Sequence, residues 1–66
     1  MPSTAISRIV YDEDSRVMSV WFVESGQRYD YIDVPPHAAA AFRRAPSKGR
    51  HFVAFVRDRY DFKRVA

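Results

Sequence analysis

Three groups of side chains in this 66-residue sequence have types and spacing that could do chemistry. Ser47-Lys48-Gly49-Arg50 sets a hydroxyl, two cations and a residue without a Cβ where a helix is expected to begin. Unpaired backbone N–H groups and the positive end of the helix dipole could hold an anion there. The alternative is that Ser47 only caps the helix and Gly49 lets neighbouring elements approach closely. The spacing and second glycine of a P-loop are missing. Tyr29-Asp30-Tyr31 places two phenols on one side of an extended segment, which can either fill a core or stack unpaired bases. Asp12-Glu13-Asp14 forms a carboxylate cluster, but on a hairpin turn it is solvated and has no base beside it. His37 and His51 each fall at a helix start, and no recognisable motif links a serine or cysteine nucleophile to either. These residues point to binding rather than catalysis, with no cofactor and no small-molecule substrate implied.

Charge is unevenly distributed. The net charge of +3 divides into −3 for residues 1–33 and +6 for residues 34–66. The second half carries Arg43, Arg44, Lys48, Arg50, Arg57, Arg59, Lys63 and Arg64 against Asp58 and Asp61. Six of these eight cations are arginines, which favour bidentate phosphate contact and stacking. Lys48, Arg50, Arg43, Arg44 and Arg57 are therefore the candidate phosphate contacts of a nucleic-acid surface, with Tyr29 and Tyr31 as stacking groups. The plainer alternative makes the same arginines solvated helix faces, with Asp61 pairing to Arg57 one turn away.

The elements that must position these groups can be read from pattern. Ile6–Tyr11 reads as a strand, Asp12–Ser15 as its turn, and Val17–Val23 as a central strand that is apolar on both faces. Glu24-Ser25-Gly26-Gln27 supplies a glycine for a second turn, and Arg28–Val34 returns as a third strand. An even-length loop sets Tyr29 opposite Phe22 and Tyr31 opposite Val20, which gathers Met18, Val20, Phe22 and both tyrosines on one face. A bulged three-residue loop would instead bring the tyrosines beside Trp21. Pro35 ends the sheet, Pro36 opens a helix to Ala45, and Pro46 stops it. Ser47 then caps a second helix from Lys48 to about Tyr60. On a helical wheel Phe52, Phe55, Val56 and Tyr60 share one arc, Arg59 projects into that arc, and Arg50, Arg57 and Arg64 lie opposite. Phe42, Phe52, Phe55 or Val56, and Tyr60 should supply the helical side of the core.

The predicted fold class is α+β, a single domain in which a three-stranded antiparallel β-meander is followed by two α-helices packed on one face. Val17, Trp21 and Val23 would then face outward with nothing to cover them except the N-terminal segment, as a candidate protein interface. Sixty-six residues leave room for one small core. The absence of cysteine removes disulfides and thiolate metal sites, and two histidines without cysteine argue against a structural metal. A hydrophobic fraction of 47% with 15% aromatics argues for a folded domain over a disordered tail. No apolar run approaches the roughly 20 residues of a membrane span, and the start lacks secretory-signal features, so a cytoplasmic location is expected.

The sequence resembles the KTSC domain. The resemblance is carried by Ile6 and Ile9 leading to Tyr11-Asp12, Met18-x-Val20-x-Phe22 with Gly26 after it, and Tyr29-x-Tyr31 leading to Val34-Pro35. Ala45-Pro46-Ser47-Lys48-Gly49, Phe52 and Val56-Arg57-x-x-Tyr60 complete it. Such modules occur as free-standing bacterial proteins and at the C-terminus of some lysyl-tRNA synthetases, so the resemblance implies an association with RNA. Trp21 departs from the polar residue expected at its strand position. The leading expectation is a non-catalytic RNA-binding module; the competing one is a module for homodimerisation or for another protein, docking through the sheet face around Trp21.

Overall fold

The structure is a computed structural model that describes residues 5–65. Met1–Thr4, the segment expected to shield Trp21, lie outside the described residues. Segments rich in β-branched and aromatic residues produce β1 (Ile6–Asp12), β2 (Val17–Phe22) and β3 (Arg28–Tyr31), followed by helices α1 (Pro36–Arg44) and α2 (Lys48–Phe55) and a last strand β4 (Phe62–Val65). The sheet is antiparallel throughout, in the order β1-β2-β3-β4.

The fourth strand corrects the expected meander of three. The second helix stops at Phe55 instead of running to Tyr60, and the chain turns through 56–60 to lay Phe62 opposite Tyr31 and Arg64 opposite Tyr29. Val56 and Arg57 both donate to the Phe52 carbonyl, which closes the helix. Helical spacing at 52, 55, 56 and 60 could not foresee that the free edge of β3 would recruit the segment beyond it. Arg64 is consequently on the sheet, and Arg59 is exposed in the turn with its guanidinium 6.0 Å from the Phe55 ring centroid. Arg57 meets Asp58 at 3.7 Å, not Asp61.

Register also differs from expectation by two residues. Tyr29 pairs with Val20 and Tyr31 with Met18, because the Phe22 N–H donates to the Gln27 carbonyl and the Gly26 N–H to the Phe22 carbonyl, closing a short loop. Gly26 takes a φ of 69°, the left-handed region where a Cβ is strained. A shift of two preserves the face, so both tyrosines still share it with Met18, Val20 and Phe22. The third strand ends at Tyr31 rather than Val34; Asp33 adopts φ 61° and Val34 donates to the Arg16 carbonyl at the first hairpin.

Both helices pack on that face. Met18, Val20, Tyr31, Val34, Ala39, Phe42, Phe52 and Val56 form the core, with Tyr60 half-buried at its margin and Phe55 exposed. Complete burial of Phe42 is worth about 1.5–3 kcal/mol against its exposed state. Pro36 occupies the first turn of α1, and the Ser47 hydroxyl accepts the Arg50 N–H to cap α2. The Tyr11 hydroxyl donates to the Val34 carbonyl at 2.6 Å, tying the edge strand to the sheet's exit into α1.

Candidate nucleic-acid interface

The sheet and the end of α2 leave an open groove of about 560 Å³. Its walls are Phe22 from β2, Tyr29 and Tyr31 from β3, Phe62 from β4 and Phe52 from α2, with Arg57 beyond the helix end and Glu24 and Ser25 at the second turn. The rings hold one another in place. Phe22 meets Tyr29 and Phe52 edge-on at 5.4 and 5.2 Å, and Tyr31 meets Phe52 at 5.7 Å. Phe62 tilts over Tyr29 and Tyr31 at 5.3 and 5.6 Å while remaining 50% exposed. Such a fixed, half-open aromatic wall offers π-faces to a planar ligand.

Tyr31 is the buried floor. Burial pushes its phenol up to about 12, the neighbouring Tyr29 adds to the rise, and the Arg57 guanidinium acts against it. Arg57 therefore brings positive charge to the aromatic groove. Tyr29, Tyr31 and Arg57, separated by up to 28 positions in sequence, line one site. Phe62 was not among the expected site residues, since its position on β4 depends on a strand that the helical spacing concealed.

The remaining expected cations are not gathered there. Arg43, Arg44 and Arg50 are exposed, while Lys48 is half-buried and donates its ammonium to the Ala45 carbonyl. Of the expected anion set, Ser47 has its hydroxyl engaged as the α2 cap, and Gly49 is half-buried in the first turn. Lys48 instead shares a second groove, of about 220 Å³, with Arg43 from α1 and Arg8 from β1. Arg50 does not line it. Arg8 was missed because it belongs to the acidic half of the sequence; it lines this groove while its guanidinium lies against Trp21.

The outer sheet face has a different character. Trp21 is half-buried, with the Arg8 and Arg28 guanidinium groups on the flanking strands 5.2 and 5.3 Å from its ring centroid. Arg28 donates twice to the Asp30 carboxylate, at 2.8 and 3.1 Å, and the Ser19 hydroxyl donates to it at 2.7 Å. Chiefly through the Arg28 bonds, Asp30 is held below the usual carboxylate range. Val17 is half-buried on this face, and Val23 is exposed in the turn beyond it. The Asp12 carboxylate accepts the Asp14 N–H at 3.1 Å, as turn chemistry requires. His51 stacks on Phe42 at 5.3 Å, and His37 is exposed. Among the described residues no three His, Cys, Asp or Glu side chains cluster as metal ligands.

The KTSC domain profile matches residues 2–60. The chain belongs to the KTSC domain family. A KTSC domain protein from Yersinia pestis of known crystal structure is 33% identical, with a TM-score of 0.89 over 100% of this chain and 92% of that one. A lysine–tRNA ligase from Nostoc punctiforme is 30% identical over 63 residues, which cover 96% of this chain and 11% of the ligase. The chain thus spans about a ninth of that relative's length. The profile match ends before β4, so Phe62 lies outside the residues matched to the KTSC family. Among the described residues no helix is long and apolar enough to cross a membrane.

Proposed function

We propose that this chain is a non-catalytic RNA-binding module of the cytoplasm. The observation that carries the proposal is the open aromatic groove with Arg57 at its rim. An unpaired base stacks on Phe62 and Tyr29 there, Arg57 meets the adjoining phosphate, and Arg43, Arg44, Lys48 and Arg50 extend the positive surface. Similarity to part of a lysine–tRNA ligase supports RNA as the nucleic acid, with a tRNA as the first ligand to try.

Fluorescence anisotropy with a labelled single-stranded RNA and with a tRNA tests this. Phe62→Leu keeps an apolar side chain but removes the stacking ring, and stacking is worth about 1–3 kcal/mol per base, or about 5- to 150-fold in affinity. Affinity should also fall with added salt. Unchanged binding by Phe62→Leu removes the groove from the interface, and no binding of either RNA ends the proposal. A second reading, homodimerisation or partner docking at Val17, Trp21 and Val23, has in its favour the exposure of Val10 and Val23 at 40% and 59%. The cover that Arg8 and Arg28 give Trp21 weakens it. Sedimentation at high concentration separates the two, since a monomer is expected for the RNA-binding module.

A further inference from the structure

The basic groove adjoins the aromatic one. Ile6 and Phe22 are cross-strand partners whose side chains pack toward the same core, and Ile6 lines the basic groove while Phe22 lines the aromatic groove. Partners in such a pair have Cα atoms about 5 Å apart. One residue pair therefore separates a wall of aromatic rings from a pocket bordered by Arg8, Arg43 and Lys48.

Those three cations come from β1, the last turn of α1 and the first turn of α2. Among the described residues no carboxylate lines the groove or makes an ion pair with any of them. Lys48 spends one of its three donors on the Ala45 carbonyl. The Arg8 guanidinium rests against Trp21, and Arg43 is exposed with no described hydrogen bond or ion pair. A register irregularity between Ile6 and Arg8 bends the edge strand beside the pocket. Arg43 and Lys48, on separate helices, border the groove with no carboxylate in its lining, so an anion there meets only positive charge. Apolar Ile6 and Ile9 form the rest of the wall, so the pocket suits a compact oxyanion.

We propose that this groove binds a backbone phosphate of a single-stranded polynucleotide whose neighbouring base occupies the aromatic groove. The proposal rests on the RNA-binding reading and adds to it a path: the strand crosses the end of the sheet over the Ile6–Phe22 pair, with its base on one side and its phosphate on the other. Lys48 then acts together with Arg43, beside the β1 backbone at Ser7 and Arg8, and Arg50 stands apart.

The test is a backbone-amide NMR titration of the whole chain with an oligoadenylate and, separately, with inorganic phosphate. It is paired with affinity measurements on wild type and Arg43→Gln/Lys48→Gln. With the oligoadenylate, the amides of Ser7, Arg43 and Lys48 should move together with those of Tyr29 and Phe62. Losing that one phosphate contact lowers the salt slope of single-strand binding by about 0.7, so between about 50 and 200 mM salt the wild type should lose about 2.6-fold more affinity than the double variant. Should the double variant unfold, Arg43→Gln alone, on an exposed side chain, should lower the slope in the same direction. Movement of Tyr29 and Phe62 alone, with equal salt slopes, overturns the phosphate site and leaves RNA binding standing. Movement of Ser7, Arg43 and Lys48 with inorganic phosphate but not with the oligoadenylate overturns the polynucleotide path. No movement anywhere with the oligoadenylate overturns both.

Discussion

Alkaline pH should destabilise this domain through Tyr31. The side chain is 2% exposed, stacked edge-on to Phe52 and overlaid by Phe62, so its ionised form has almost no access to water. In an unfolded chain the phenol titrates near 10, and in the folded domain it is pushed up to about 12. Because the folded value is raised, the contribution of Tyr31 to stability is complete below about pH 10 and is lost as the pH rises toward about 12. By about pH 12 the loss amounts to roughly 2 kcal/mol, against a total of about 3–10 kcal/mol for a domain of this length. Urea unfolding of wild type and Tyr31→Phe at several pH values across that window measures it. Wild type should lose stability there, and the variant should lose about 2 kcal/mol less. Equal losses in the two proteins would refute the assignment. Arg57→Gln provides a second arm: removal of the cation that holds the phenol down should move the midpoint of tyrosinate absorbance upward.

Other perturbations have comparably definite outcomes. Phe42→Ala should cost about 3–5 kcal/mol, a large share of the stability of a domain this small, as read by urea denaturation. Ser47→Ala removes the α2 cap, whose bond is long at 3.4 Å, and should cost about 0.5–1 kcal/mol in the same assay. Asp30 has a lowered pKa, so its contribution is present above the ordinary carboxylate value and lost as the pH falls through the lowered one. Asp30→Asn should flatten that part of the acid unfolding curve, and an unchanged curve would mean that the Arg28 and Ser19 bonds contribute nothing.

What could be read from the sequence was whatever local chemistry decides. Pro36 and Ser47 mark helix starts by their own backbone and hydroxyl geometry, and the period of two along β2 sets Met18, Val20 and Phe22 on one face. The tyrosines follow onto that face because a register shift of two preserves it. What could not be read depends on partners distant in sequence. No glycine or proline precedes Phe62–Val65 to announce a turn, and Phe52, Phe55, Val56 and Tyr60 are spaced for a continuing helix. The free edge of β3 and the rings of Tyr29 and Tyr31 decide otherwise. The candidate site divides in the same way. Tyr29, Tyr31 and Arg57 were visible as residue types, whereas Phe62 and Arg8 reach their grooves only through tertiary packing.

The most direct measurement is the map of backbone-amide shifts when a single-stranded RNA is titrated into the labelled chain. Binding through the aromatic groove moves Tyr29, Arg57 and Phe62 and leaves Val10, Ser19 and Lys63 on the outer face in place. Shifts centred on Trp21 and that outer face, with Tyr29 and Phe62 still, would contradict the account.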